Sequence, residues 1–287
     1  VSEGILKKVL KWSGFVVAGL AVIVGIVFAG VYFKSERVLH RQYAAVEDRQ
    51  VTVPGDAAGI AAGKHIAQLA GCMHCHGEKL NGSLVDDIPH LARLVAPNIS
   101  VALPKYTDAQ LATVLRKGVK PDGSSVLFMP SVMYRHLADE DLGRLIAYLR
   151  TIPATPEGVQ EKSEVRIIGR ALLATGEFKP AALAIETLPP PANTFDVGDP
   201  VSTGRHLTMS YCSECHGQSL EGFEPIHAPP LTVAKGYSIE AFSKLMHDGV
   251  PLGDRELPLM GRTSRARFSN FTPEEISAVH AYLQSRS

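Results

Sequence analysis

The stretches Cys72-Met73-His74-Cys75-His76 and Cys212-Ser213-Glu214-Cys215-His216 hold all four cysteines of the 287-residue chain. Both sit in one local pattern. Gly63-Lys64-His65-Ile66 stands before the first and Gly204-Arg205-His206-Leu207 before the second. Gly77, Leu80 and Gly82 trail the first at the offsets at which Gly217, Leu220 and Gly222 trail the second. Further on, TDAQLATVLRKGV (107–119) matches SIEAFSKLMHDGV (238–250), and EDLGRLIAYL (140–149) matches EEISAVHAYL (274–283). The chain therefore carries a duplicated module, with three extra residues in the second copy between Met260 and its last segment.

Both copies read as helical. Leu142, Leu145, Ile146 and Leu149 recur at i, i+3, i+4 and i+7, and Ile276, Val279 and Leu283 share one stripe. Thr107 with Gln110, and Thr272-Pro273-Glu274-Glu275, are capping-box helix starts. Neither copy shows an alternating strand pattern, so the expected fold class is all-α.

Residues 13–33, SGFVVAGLAVIVGIVFAGVYF, contain no charged side chain. As a helix these residues span roughly 30 Å, the thickness of a bilayer's hydrocarbon core. Lys7, Lys8 and Lys11 before the run favour an N-inside orientation. The rival reading is a cleaved signal peptide, whose apolar region is shorter, about 7–15 residues. Either way, everything after residue 34 lies on the outer side. The expected divisions are an anchor at 1–34, a juxtamembrane linker at 35–56, a first module at 57–153, an interdomain strap at 154–199 and a second module at 200–287. The strap holds Pro189-Pro190-Pro191 and other prolines that disfavour continuous helix; within it, 165–176 is read as one short packed helix. Equal numbers of basic and acidic side chains, 29 each, give no nucleic-acid footprint.

Cys-x-x-Cys-His is read in four ways. Structural zinc needs four ligands, yet each pair belongs to a separate repeat. A thioredoxin-like redox pair needs a βαβ context, and a chance pairing does not occur twice in register. The remaining reading is covalent c-type haem, one in each copy. Cys72, Cys75, Cys212 and Cys215 are the thioether tethers, and His76 and His216 are the proximal iron ligands. Met73 and His74 are then fillers, since the second copy has Ser213 and Glu214 in their places.

Each iron needs a sixth ligand or an open position. Met129 and Met260 both lie 11 residues after a glycine, Gly118 and Gly249 respectively. That register selects them as the sulfur ligands, with Met133 the alternative to Met129. Met246, in helical phase with Phe242 and Leu245, reads as core; Met209 is expected near the second haem. Among other histidines, His65 and His206 occupy matching positions upstream of the thiols and are expected at the surface or on the propionate side. His40, His90, His136, His227, His247 and His280 have no duplicated counterpart. The carbonyls of Pro97 and Pro230 are the expected acceptors for the second N–H of each proximal imidazole.

In these residues the chain resembles class I cytochrome c modules, specifically those of membrane-bound multi-haem subunits of bacterial alcohol, gluconate and related dehydrogenases. The segments PNIS (97–100), LRKGVKPDG (115–123), MPSVMYRHLADEDLGRLIAYLRTIP (129–153) and LPLMGRTSRARFSNFTPEEISAVHAYL (257–283) carry the likeness. The resemblance implies two tandem helical cytochrome c domains, His-Met haem iron, and electron relay between a periplasmic or quinol-side donor and a downstream acceptor. The chain departs from that group in having two haem motifs rather than three and an N-terminal rather than C-terminal anchor. The expectation is a single-pass di-haem carrier in the bacterial cytoplasmic membrane, its haem domains periplasmic. It is itself no enzyme, and serves a respiratory, photosynthetic or dehydrogenase complex. The enzyme alternative is a di-haem peroxidase, which requires one open or switchable iron.

Overall fold

The computed structural model describes residues 2–44, 51–191, 194–253 and 255–286. Residues 45–50 of the expected linker and 192–193 of the expected strap lie outside the described residues. The apolar run continues without a break into its flanks as α1 (Ser2–Leu39), 38 residues and roughly 57 Å long at the helical rise. None of its apolar window is buried by the rest of the chain.

The first module contains α2 (Ala57–Ala70), α3 (Cys72–His76), α4 (Asp108–Lys117), α5 (Ser131–Tyr134) and α6 (Asp139–Arg150). Asp56 caps α2 by accepting from the Gly59 N–H at 2.7 Å. Both halves of the Thr107–Gln110 capping box form at the start of α4. The linking segment adds α7 (Ile167–Thr175) and α8 (Ala181–Glu186). The second module repeats the first with α9 (Pro200–Tyr211), α10 (Ser213–His216), α11 (Ile239–Asp248), α12 (Pro258–Ala266) and α13 (Pro273–Ser285).

The all-α expectation needs correction. The chain also forms β1 (Ser83–Ile88), β2 (Ala92–Ala96) and β3 (Glu164–Val165), one antiparallel sheet in the order β1-β2-β3. The stretch from His76 to Pro97 is 21 residues, against 13 from His216 to Pro229, and the added length in the first module makes the hairpin. Most of β1 is exposed on both faces, so its sequence carries no period-two signal. The pairing is held instead by charge. Arg93 donates to Asp87, its cross-strand partner, at 2.8 Å and to Glu161 at 2.5 Å, while Arg166 donates to Asp87 at 2.6 Å.

In each module the helix before the motif crosses the last helix at backbone contact. A Cβ on Gly63 would lie 1.9 Å from the Arg144 carbonyl oxygen, and one on Gly204 would lie 1.9 Å from that of Ala278. The two glycines thus set the crossings of α2 over α6 and α9 over α13. The linking segment is ordered along the first module: Asn98 donates to the Thr155 carbonyl at 2.8 Å and the Val159 N–H to the Asn81 carbonyl at 3.0 Å. Its α8 touches the end of α4 at Gly118, where in the second module α12 touches the end of α11 at Gly249.

The modules share one continuous core, and their polar contacts are reciprocal. His65 Nε2 meets Glu275 Oε1 at 2.9 Å, while His206 Nε2 meets Asp141 Oδ2 at 2.8 Å. These four residues are two pairs of equivalents exchanged across the boundary, which requires an approximate two-fold relation between the copies. His206 is also stacked on Phe195, with ring centroids 4.1 Å apart. The two histidines therefore join the modules, rather than standing free at the surface. His136 adds a third bridge, its Nε2 lying 2.8 Å from Gln218 Oε1.

Two outcomes test this packing. A helix-interior Gly→Ala change with room for the methyl stabilises by up to about 1 kcal/mol. Gly204→Ala has no such room and is expected to destabilise by about 1–3 kcal/mol, read as a lower denaturation midpoint. The second outcome concerns pH. The hydrogen bond to Glu275 raises the His65 pKa against the opposing effect of burial. The stabilisation is therefore complete below the ordinary histidine value, about 6.5, and disappears as pH climbs through the raised value. Melting temperatures of the wild type and His65→Gln should differ most at mildly acidic pH and converge in alkaline buffer.

Candidate haem attachment sites

Each attachment turn is fixed from both sides. Helix α2 ends at Gly71, which takes the left-handed conformation (φ 76°) and lets the chain restart as α3 carrying Cys72, Cys75 and His76. After the turn, the Gly82 N–H donates to the His76 carbonyl at 2.8 Å and the Gly222 N–H to that of His216 at 3.0 Å. Both glycines have positive φ, and a Cβ on either would meet backbone within 3 Å. Leu80 and Leu220, fully buried, also adopt left-handed backbone, at φ 52° and 63°. Such strain in a non-glycine residue persists only where its surroundings overdetermine it; here each side chain plugs the core beneath the turn.

The histidines that close the two motifs show what each turn is built to present. His76 Nδ1 lies 2.9 Å from the Pro97 carbonyl oxygen and His216 Nδ1 lies 2.8 Å from that of Pro229. A carbonyl only accepts, so each Nδ1 carries the proton and donates, leaving the Nε2 lone pair for a metal. Burial lowers the pKa of both imidazoles, which keeps them neutral, with the proline carbonyls pulling weakly the other way. The Pro97 expectation stands. In the second copy the acceptor is Pro229 rather than Pro230, because the shorter connection places Pro229 opposite Pro97.

The thiols are equally suited to a neutral, covalent fate. Burial pushes Cys72 and Cys212 up to about 12 and Cys215 up to about 11, and also raises Cys75. None is in a disulfide. Among the described residues, no three His, Cys, Asp or Glu side chains come together as a metal-holding group. Two thiols and one imidazole with a free Nε2 on a single helical turn fit a haem c attached through Cys72 and Cys75, and a second through Cys212 and Cys215.

The candidate sulfur ligands occupy different settings. Met129 is half-buried just before α5. Met133, within α5, is fully buried and its Sδ lies 3.9 Å from Arg267 Nη2 at the junction of the modules. Met260 is half-buried and lies in the first turn of α12, a helix opened by Pro258, rather than in a loop. Met246 is buried in the core, and Met209 is packed against the core just ahead of the second motif.

The fillers of the second motif turn out to be engaged. Ser213 is buried, donates to the Met209 carbonyl at 2.6 Å and accepts from Gln218 Nε2 at 3.1 Å. Glu214 accepts from Arg267 Nη1 at 3.1 Å. In the first motif His74 is exposed. Sequence comparison of the copies missed Glu214 and Arg267 because neither has an equivalent of its own chemistry in the other module.

Comparison with known proteins agrees with this geometry. The cytochrome c family model matches residues 60–153 and 201–287. The fructose dehydrogenase cytochrome subunit of Gluconobacter japonicus is 29% identical over 171 residues, covering 55% of this chain and 34% of that protein. The cytochrome c subunit of the quinone alcohol dehydrogenase of Gluconobacter oxydans (strain 621H) is 23% identical over 234 residues, 77% of this chain and 46% of its own length. That of Gluconacetobacter polyoxogenes is 28% identical over 105 residues, 34% of this chain and 22% of its own. The chain thus spans between about a fifth and a half of the length of these relatives, all named as cytochrome subunits. Two family matches, each enclosing a Cys-x-x-Cys-His turn with its histidine tied to a proline carbonyl, place the chain in the cytochrome c family.

Proposed function

We propose that this protein is a membrane-anchored di-haem electron carrier that passes electrons from a periplasmic or quinol-side donor to a downstream acceptor, as the cytochrome subunit of a dehydrogenase or respiratory complex. The observation that carries the reading is the repetition, in two packed modules, of one attachment turn with its imidazole fixed by a proline carbonyl. In this reading Cys72, Cys75, Cys212 and Cys215 would hold two haems, His76 and His216 would bind their irons, and Met260 and Met129, with Met133 the alternative to Met129, would supply the sulfur ligands. Haem c supplies a one-electron ferric/ferrous couple, and a methionine sulfur raises its potential. The chain's part is to fix the imidazoles, to bury the attachment edge and to keep solvent from it. With two side chains on each iron there would be no position for substrate, which fits a chain that transfers electrons and leaves substrate chemistry to a partner. The named relatives make a quinone-linked sugar or alcohol dehydrogenase the first partner class to test.

The anchor reading rests on α1, the one candidate span among the described residues, with mean hydropathy 2.6. Lysines at its N-terminus favour an N-inside orientation, which would carry the modules to the periplasmic side. The outer end of α1 is docked rather than tethered. Arg170 of α7 donates to Ser35 Oγ at 3.0 Å and Glu36 Oε1 at 2.6 Å and covers the Tyr32 ring at 4.8 Å. Past it, the Tyr43 N–H donates to the Gly123 carbonyl at 2.9 Å. These contacts favour haems held at a set height above the bilayer, at high local concentration toward neighbouring complexes.

Met129→Ala and Met260→Ala should each remove one of the two methionine-ligated low-spin signals from the oxidised spectrum, with both haems still attached. A spectrum unchanged by either substitution would eliminate that ligand. Replacing residues 1–34 by a cleavable export signal should release a soluble protein carrying two haems; sedimentation with membranes after truncation would exclude α1 as the anchor.

A further inference from the structure

Arg267 is a largely covered cation, its side chain 11% exposed, that the attachment chemistry leaves unexplained. It lies between α12 and α13, six residues before the first residue of α13, the place Met133 holds relative to α6. The two equivalents touch, Arg267 Nη2 lying 3.9 Å from Met133 Sδ, so they straddle the approximate two-fold axis. From there Arg267 reaches the helix end that leads into the first attachment turn and a residue inside the second. Its Nε donates to the Leu69 carbonyl, in the last turn of α2 before Cys72, at 2.9 Å. Its Nη1 donates to Glu214, between Cys212 and Cys215, at 3.1 Å.

The first module is shaped to receive it. Gly71 is an extra residue relative to the second copy, where α9 runs directly into Cys212. A Cβ on Gly71 would stand 3.1 Å from both Cδ and Nε of Arg267. The guanidinium side chain is 11% exposed and Glu214's is 36% exposed. The counter-charge is thus the better solvated partner, and the pair does not cancel. Burial acts to lower the Arg267 pKa, but Glu214 and the other neighbours more than restore it, and a guanidinium stays charged throughout the accessible pH range. Its charge also opposes the burial-driven rise of all four cysteine thiols, which places it within electrostatic reach of both turns.

We propose that Arg267 sets the reduction potentials of both haems, standing as a permanent cation between their attachment edges with Glu214 as its partial counter-charge. The inference rests on the di-haem reading above. Ferric haem carries one more positive charge than ferrous haem, so a fixed cation in a poorly screened site disfavours the oxidised form and raises the potential. Glu214 acts with the opposite sign. Because the cation lies near the symmetry axis, it acts on both couples rather than one.

The test is spectroelectrochemical titration of the full-length, detergent-solubilised protein, after a haem assay has counted two covalent haems per chain. A wild-type chain without two haems would refute the di-haem reading itself, a result distinct from any potential shift. In two-haem protein, Arg267→Gln should move both midpoints down, Arg267→Lys should retain most of the wild-type values, and Glu214→Gln should move both midpoints up. A purely structural role would not give shifts of opposite sign. Unmoved midpoints in two-haem Arg267→Gln, or a shift confined to one haem, overturn the proposal. If Arg267→Gln fails to fold, Glu214→Gln decides: upward movement of both midpoints supports it, and no movement overturns it.

Discussion

A five-residue Cys-x-x-Cys-His turn is too short to hold its own shape. Its stability has to come from what flanks it. In both modules the preceding helix is locked at a glycine contact with the last helix, at Gly63 and Gly204. The following loop is pinned by a strained, fully buried leucine, Leu80 or Leu220, and the imidazole is aimed by a proline carbonyl. Remove any of these and the turn loses its orientation rather than its composition. The rest of the module is the scaffold that these contacts require.

Duplication then created a second constraint. Two copies that share a core are related by an approximate two-fold axis, and any residue near that axis meets its own equivalent. The reciprocal pairs His65–Glu275 and His206–Asp141 satisfy this symmetrically. On the axis itself symmetry fails, since two buried arginines there would repel and two methionines would carry no charge. The copies have diverged to one of each, Arg267 beside Met133, with Gly71 opening the space. The first module has diverged elsewhere too, adding the β1–β2 hairpin and recruiting α8 to the position that α12 fills in the second.

The motif chemistry was legible in the sequence because it is local. Cys-x-x-Cys-His lies within one helical turn, and self-comparison found the repeat, the helices and both capping boxes. Pro97 was reached by the same logic, whereas its second-copy counterpart was misplaced by one residue because a loop shorter by a hairpin shifts the register. The hairpin was invisible because an exposed strand paired through Arg93 and Asp87 has no apolar alternation to read.

By itself, then, the amino-acid sequence determined that there are two Cys-x-x-Cys-His turns, what each residue in them is chemically able to do, and that one apolar helix precedes them. Only the tertiary structure decided that His65 and His206 bind carboxylates of the opposite module, that Glu214 is a charge partner rather than a filler, and that Arg267 stands between the two sites. The physical reason is separation along the chain. Arg267 and Leu69 are 198 residues apart, and no periodicity or motif spacing records a contact that exists only once two folded modules have closed on each other.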